Sequence, residues 1–288
     1  MRTEVVSTPW GDLEAFSGDL ITKHLKKYQA HQRSDLALLL RLLRNGDNVI
    51  DVGAHIGTFT IPIARAVGPN GSVTAVEAVS EHLEVLSRNV ARNDLSETVR
   101  TVCALVADHT AEGQMAASHA NTGSAHFIAG CGTTVKTVRL DDIAPQSTSL
   151  VKVDVEGMEF EVLRSGATMI ERDRPVLVFE VGVGDSTGQL DDFCHRMDYR
   201  LLLNLHARNC ADDSYHAVRV TSLTRLGPLP LLDVVAMPRE SDRWPQDLAE
   251  PSSALVRAAL TYRRARGLAY RAGTAVGERA LRPTQHAS

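Results

Sequence analysis

The segment "NVIDVGAHIGTFT", which runs from Asn48 to Thr60, restricts the accessible folds more than any other part of the chain. A short apolar strand ends near Asp51, glycines follow at positions 53 and 57, and a helical pattern begins directly afterwards. A strand, a tight glycine turn and a helix in this order form the ligand-binding corner of an open α/β sheet. The ligand of such a corner lies outside the carboxyl ends of the strands.

The residues of this turn limit which ligand fits. A dinucleotide-binding loop needs a middle glycine where its backbone approaches the pyrophosphate, and this chain has His55 there. No Gly-Lys-Ser or Gly-Lys-Thr follows, which disfavours a Walker loop. An adenosine ligand without phosphate suits Gly53 and Gly57 better, and Asp51 can hold its cationic amine directly or through water. S-adenosylmethionine has that amine, and Glu77, about twenty residues past the loop, can accept from both ribose hydroxyls.

Helix and strand patterns alternate through most of the chain, which predicts right-handed βαβ units and a parallel sheet. The patterns predict helices over 34–43, 58–67, 81–92, 158–170 and 189–197, and strands over 48–52, 72–78, 98–107, 134–140, 149–155, 175–181, 199–205 and 230–237. The segment from Asp108 to Gly132 lacks a clear period and is predicted to be a long functional loop. An Ala- and Arg-rich helical tail is predicted after residue 239.

Three segments resemble the FkbM family of class I methyltransferases: "VIDVGAHIGTFT", "AVEAVSEHLEVLSRNVARND" and, most specifically, "KVDVEGMEFEVLRSGA". The resemblance runs from about Gly46 to Val181. It implies an α/β, Rossmann-like, doubly wound sheet of seven strands whose last strand is antiparallel. It also implies methyl transfer from S-adenosylmethionine, usually to a hydroxyl of a sugar or natural product. We expect an N-terminal extension and helix (1–45), the methyltransferase domain (46–239), and a linker with the Arg-rich tail (240–288).

The predicted site has a cofactor side and an acceptor side. The cofactor side comprises Asp51, Gly53, His55, Gly57, Thr58, Phe59, Glu77, Ala78, Asp108 and Asp154. His55 stands where the family often has Asn, and Asn121 begins the chain's counterpart of the family's Asn-x-Gly element. Glu159 shares the inward face of its helix, and Glu180 ends the strand beside Asp154. We expect Glu159, Glu180 and Asn121 to bind the acceptor.

A hydroxyl acceptor must lose its proton, which His, Asp or Glu generally removes. The candidates are Asp154, Glu156, His206 and His126, and the sequence leaves the choice among them open. The same acids would attract a cationic amine, so N-methylation of an amino sugar in antibiotic biosynthesis is the alternative. Asp154 and Glu180 could also hold Mg²⁺, but two carboxylates are too few to identify a metal site, and none is predicted.

Composition narrows the range of partners. A net charge of -4 gives no reason to expect a nucleic acid, whose binding depends on phosphate neutralisation. The longest apolar run, "LALLLRLL", is too short for a bilayer span, and the scattered cysteines suit a reducing compartment. We therefore expect a cytoplasmic enzyme with a small-molecule acceptor and no membrane or nucleic-acid partner; a homodimer is the assembly considered. Remote alternatives are a nicotinamide-dependent oxidoreductase and a non-catalytic cofactor-binding scaffold.

Overall fold

A computed structural model describes residues 1–109, 112–118, 121–134, 136–155, 157–181, 186–205, 211–224 and 232–245, with only the backbone described in 112–118 and 121–134. Its strands are β1 (Thr3–Thr8), β2 (Gly11–Phe16), β3 (Asn48–Val52), β4 (Ser72–Glu77), β5 (Val99–Cys103), β6 (Leu105–Val106), β7 (Glu112–Ser118), β8 (Asn121–Thr134), β9 (Thr137–Val138), β10 (Thr148–Val153), β11 (Val176–Val181), β12 (Tyr199–Asn204), β13 (Ala217–Val220) and β14 (Leu232–Pro238). Its helices are α1 (Leu20–Tyr28), α2 (Arg33–Arg41), α3 (Thr60–Val67), α4 (Ser80–Arg92), α5 (Leu140–Ile143), α6 (Glu159–Ser165), α7 (Ala167–Asp173) and α8 (Ser186–Arg196).

The central sheet contains eight strands in the order β13-β12-β14-β11-β10-β3-β4-β5. Strands β5, β4, β3, β10 and β11 are parallel, and β14 is inserted antiparallel between β11 and β12. Strand order reverses between β3 and β10, because the chain runs outward through β4 and β5 and then returns. This reversal creates the crevice in which an open α/β sheet binds its ligand.

Helices cover both faces of the sheet. One hydrophobic cluster joins the β1–β2 hairpin and α1 to α4 to one face, with members such as Leu25, Leu39, Ile63 and Leu86. The second cluster joins α5 to α8 to the other face. The first 45 residues therefore share a hydrophobic core with this face of the sheet.

The doubly wound α/β fold predicted from the sequence is confirmed, including the antiparallel last strand. Strand β3 has the predicted bounds, and β4, β10, β11, β12 and β14 begin and end within two residues of their predicted limits. These strands were predictable because continuous apolar runs are typical of strands that are buried on both faces. The eighth strand, β13, was not predicted and extends the seven-stranded pattern at the β12 edge.

Three local predictions were wrong. The segment predicted as a long loop after Asp108 contains the β7–β8 hairpin, in which Ala116 pairs with His126. The strand predicted over 134–140 is reduced to the two-residue β9, which pairs with β6 away from the central sheet. The helix predicted over 158–170 is divided into α6 and α7 at Gly166, where a Cβ would lie 2.6 Å from Leu140 Cδ2. Close packing on Leu140 therefore requires glycine at this break.

Among the residues that the structure describes, no helix has both the length and the apolar character that a membrane span requires.

Candidate active site

The glycine turn after β3 closes against the neighbouring strands. The amides of Gly53 and Ala54 both donate to the carbonyl oxygen of Val76, at 2.9 and 3.0 Å. Gly53 has φ +78°, and a Cβ there would lie 1.9 Å from the carbonyl oxygen of Asp154. His55 is also left-handed, with φ +50°. The turn therefore brings the backbones that follow β3 and β10 into contact, which a side chain at position 53 would prevent.

Glu77 lies at the end of β4 and connects this turn to α4. Its Oε2 accepts from the His55 amide and its Oε1 accepts from the Val79 amide, both at 2.9 Å. Burial raises the pKa of Glu77, but the adjacent His82 ring and the Val79 amide outweigh burial, so the pKa lies below its ordinary value. The carboxylate is therefore an anion near neutral pH. Each oxygen keeps a second lone pair for a ligand hydroxyl.

A buried lysine, which was not among the predicted site residues, lies between two of the predicted acids. Lys152 Nζ is 3.4 Å from Asp51 Oδ1 and 3.5 Å from Asp154 Oδ2. Burial lowers the pKa of Lys152, but Asp51, Asp154 and Asp233 more than compensate, and the pKa is raised. The ammonium also lies 4.7 Å from the centroid of the Phe59 ring. The sequence signal was a lysine in an apolar strand, two residues before a strand-end acid.

Asp51 is completely buried, and the chain itself occupies much of its carboxylate. Oδ2 accepts from Thr60 Oγ1 at 2.7 Å, and Oδ1 faces Lys152. Its contact with an amine of the cofactor therefore stays a prediction. The side chain of Asp154 is 27% exposed and that of Asp51 is 0% exposed, so only Asp154 is accessible to solvent.

More acids extend this edge toward β14. Glu180 is buried at the end of β11 and lies opposite Asp233 in the sheet register. Glu159 is buried at the start of α6, as its helical pattern predicted, and accepts from the Gly157 amide at 3.0 Å. Burial raises the pKa of Glu159. No group of three or more metal-ligating side chains occurs within the described part of the chain.

Asp108 is engaged by arginines of the chain. It contacts Arg139 closely, and Arg164 Nε lies 3.6 Å from its Oδ2. Its predicted cofactor contact therefore competes with two internal ion pairs. Thr58 is buried in the turn, and Ala78 is half-buried after β4.

A pair of histidines lies behind Glu77. The rings of His55 and His82 meet edge to face with centroids 4.3 Å apart, and Phe16 of the hairpin packs against both. Burial, followed by the effect of His82, lowers the pKa of His55 to about 3, so this ring is neutral at physiological pH. His82 was not predicted as a site residue.

Several predicted site residues cannot be located in full. Glu156 and His206 lie outside the described residues. His126 and Asn121 lie in β8, a strand and not the predicted loop, and their side chains lie outside the described part. Their predicted roles stay predictions.

The described residues fit S-adenosylmethionine. The turn from Gly53 to Gly57 contains no lysine that could bind a phosphate. Gly57 has φ +94°, and a Cβ at this position would lie only 2.7 Å from Leu86 Cδ1. Glu77 presents two acceptor oxygens at the next strand end, which suits a ribose diol. These residues would hold the adenosyl part of the cofactor across the carboxyl ends of β3 and β4, beside the crevice between β3 and β10.

Comparison with known protein families gives a match over about half of the chain. The model of the methyltransferase FkbM domain matches residues 51–201. This range includes the end of β3, the glycine turn, Glu77, Lys152 and Asp154.

The matches to curated relatives cover segments of this chain. The 23S rRNA (uracil(1939)-C(5))-methyltransferase RlmD of Acinetobacter baumannii (strain SDF) is 39% identical over 64 residues, which is 22% of this chain and 14% of that protein. The probable cobalt-precorrin-6B C(15)-methyltransferase (decarboxylating) of Thermoplasma volcanium is 24% identical over 150 residues, which is 51% of this chain and 70% of that protein. The chain therefore spans only a small part of the first of these relatives.

Among solved structures, a methyltransferase FkbM from Methylobacillus flagellatus KT superimposes with a TM-score of 0.47 at 17% identity, over 73% of this chain and 49% of that chain. The family match covers the turn, both neighbouring strand ends and the segment around Asp154. The chain therefore belongs to the FkbM family of class I, S-adenosylmethionine-dependent methyltransferases.

Proposed function

We propose that the protein transfers the methyl group of S-adenosylmethionine to a hydroxyl of a sugar-containing or polyketide-type small molecule. The observation that carries this proposal is the position of Asp154. It is the partly exposed acid at the carboxyl end of β10, adjacent in the fold to the Gly53 turn. An acceptor that reaches the cofactor from the cleft would meet this carboxylate.

The charges along the sheet edge support a small acceptor over a polyanion. Glu180 and Asp233 lie beyond Asp154 on the same side of the cleft, and Lys152 is buried between two acids of its own. Phosphates brought to this edge would meet the negative charge of these acids. The rRNA and precorrin named for the curated relatives are therefore not transferred to this chain.

Methyl transfer to a hydroxyl requires that its oxygen be positioned in line with the sulfonium and that a nearby group accept its proton. Bound S-adenosylmethionine supplies an electrophilic methyl group on a sulfonium. Asp154 would accept the hydroxyl proton as the oxygen attacks in line, and Lys152 would orient the carboxylate for that role. The hydroxyl oxygen gains the methyl group, its proton passes to Asp154, and the thioether leaves with the sulfonium's bonding pair.

N-methylation of an amino sugar is the second candidate, because the acids of this edge would also attract an ammonium group. An amine must lose a proton before it attacks, and the same Asp154 could accept it. The nicotinamide-dependent alternative is not carried forward, since the family match is to methyltransferases. The scaffold alternative depends on the tail, which lies outside the described residues.

Incubation with methyl-labelled S-adenosylmethionine tests the acceptor class. The panel should contain neutral glycosides, hydroxyl-bearing polyketides, amino sugars and ribosomal RNA fragments. We expect the label in an ether of a glycoside or polyketide, identified by mass spectrometry of the product. Label on nitrogen would favour the second candidate, and label only on RNA would overturn both.

Substitution of Asp154 tests the chemical step. Asp154→Asn keeps the shape but removes the proton acceptor, so turnover should fall by about 10²–10⁴-fold, while cofactor affinity changes little. Asp142→Asn, an exposed acid of α5, is the matched control. Equal losses of turnover and cofactor affinity in Asp154→Asn would make Asp154 a structural residue.

A separate measurement tests whether the reaction requires a cation. Activity that survives exhaustive chelation would exclude a required cation.

A further inference from the structure

The His82 imidazole is a buried polar group that the proposed chemistry does not use. It is the third residue of α4 and is only 1% exposed. Its Nδ1 lies 3.7 Å from Glu77 Oε1, slightly beyond hydrogen-bond distance, and has no hydrogen-bond partner among the described residues. A buried polar atom without a partner costs about 1–3 kcal/mol. An apolar side chain would avoid this cost, so the nitrogen requires an explanation.

The surroundings of His82 hold the ring in one orientation. The ring of His55 packs against it edge to face, and the Phe16 centroid lies 5.5 Å away on the side of the hairpin. His82 is also tied to the helix start, because its amide donates to the Val79 carbonyl oxygen at 3.1 Å. In this packing the Nδ1 side of the ring faces Glu77.

A polar neighbour such as His82 stabilises the buried Glu77 carboxylate. This carboxylate is buried and ionised, and the backbone supplies one donor to each oxygen. The His55 ring beside it is neutral and adds no positive charge. A small movement of Glu77 Oε1 would bring it within hydrogen-bond distance of His82. The side chain is thus supported from behind at Oε1, while Oε2, which accepts from the His55 amide, keeps a lone pair for the ligand.

We propose that His82 is a positioning residue of the ribose site: its buried imidazole fixes the Glu77 carboxylate in the orientation that accepts from the ribose diol. This inference rests on the proposed use of S-adenosylmethionine. Because its side chain is only 1% exposed, His82 would act through Glu77 and not by contacting the cofactor. Its effect should therefore be on recognition of the diol and not on recognition of the rest of the molecule.

The affinity ratio for two ligands measures this effect. S-adenosylhomocysteine and its 2′-deoxy analogue differ only in one hydroxyl, and calorimetry gives both dissociation constants. We expect the unaltered protein to prefer the diol by about tenfold or more, which corresponds to about 1.4 kcal/mol. In His82→Phe, which keeps a ring but removes the nitrogens, the preference should fall to about threefold or less. His82→Asn, which can place a nitrogen near the Nδ1 position, should restore most of it.

Controls separate this role from general damage. His195→Phe removes an exposed imidazole from α8 and should leave the ratio unchanged. His82→Leu replaces His82→Phe if the larger ring prevents folding. A folded variant without the nitrogen that keeps the full diol preference would overturn the role of His82, and so would an Asn variant that loses it. If the unaltered protein binds neither ligand, the proposed function fails together with this inference.

Discussion

Lys152 places one positive charge among the acids at the centre of the cleft. It compensates Asp51, which is fully buried, and Asp154, which is only partly exposed. Its raised pKa means that the ammonium stabilises the folded state below the unfolded pKa, near 10.5, and that this contribution is lost as pH rises through the folded pKa. The lysine is therefore charged throughout the neutral range.

Lys152→Met should lower the free energy of unfolding by about 3–5 kcal/mol, because a buried carboxylate loses its counter-charge. Urea denaturation at neutral pH measures this loss. The double variant Lys152→Met with Asp51→Asn removes both charges and should recover part of the stability. Equal stability of the single and double variants would show that the pair is not coupled.

Glu77→Ala should weaken S-adenosylmethionine binding by about 1–3 kcal/mol, since the ribose hydroxyls and two backbone amides lose their acceptor. Calorimetric titration measures the affinity. Glu81→Ala, an exposed acid in the first turn of the same helix, is the matched control. Unchanged affinity in Glu77→Ala would remove this residue from the site.

The positions of candidate site residues could be predicted where residue type and strand position agreed. Glu77 and Asp154 follow apolar strands, so their location at the carboxyl edge could be predicted. Lys152 and His82 could not, because a lysine in a strand and a histidine in a helix are ordinary surface residues until the packing of neighbouring elements is known. His82 became notable only through its distance to Glu77.

Asn89 joins three elements: α4, the N-terminal hairpin and the glycine turn. Its Oδ1 accepts from the Glu14 amide at 2.6 Å, and its Nδ2 donates to the carbonyl oxygens of Glu14 and Ile56 at 3.0 and 2.8 Å. The side chain is completely buried. The hairpin therefore supports the cofactor turn through one amide group.

Asn89→Leu should lower the free energy of unfolding by about 3 kcal/mol, because these backbone groups lose their partners. Cofactor affinity should fall as well, since Ile56 belongs to the turn. Thermal denaturation and calorimetry measure the two effects. Asn45→Leu, at an exposed position, is the control. A variant that loses stability but keeps full affinity would mean that the turn is held without the hairpin.

The elements that escaped prediction share a physical cause. Strand β1 has one buried residue and β2 has three, so neither pattern is long enough to stand out. The β7–β8 segment is rich in small residues without a strong apolar period, so its pairing depends on the partner strand. Parallel strands with continuous apolar runs were predictable because burial on both faces leaves a clear pattern.

One ion pair joins distant parts of the chain at the amino edge of the sheet. Arg243 reaches Asp47 with both guanidinium nitrogens, Nη1 to Oδ2 at 2.5 Å and Nη2 to Oδ1 at 2.7 Å. Asp47 also accepts from the Arg44 amide at 2.7 Å. Burial raises the pKa of Asp47, but Arg243 and Arg44 outweigh burial and lower it below its ordinary 3.8. The pair fixes the chain after β14 against the start of β3.

Asp47→Asn should lower the free energy of unfolding by about 1.5–3 kcal/mol at pH 7. A depressed folded pKa gives stability that is present above 3.8 and is lost as pH falls through the folded value. The difference between the two proteins should therefore be constant from pH 7 to about 5 and shrink in acid, as measured by urea denaturation at several pH values. Asp94→Asn, an exposed control, should show no such difference. A gap that stays constant down to pH 2 would contradict the assignment.

The position of β14 sets an order of assembly. Because β14 lies between β11 and β12, β12 can join the parallel half only through a strand that is synthesised later. During translation β12 and β13 can form a hairpin, but that hairpin must wait, with one edge unpaired, until residues 232–238 emerge. An unpaired strand edge can form hydrogen bonds with a neighbouring nascent chain and so promote aggregation. We expect ribosome-associated chaperones to reduce aggregation of this protein most between the formation of the β12–β13 hairpin and the emergence of residues 232–238.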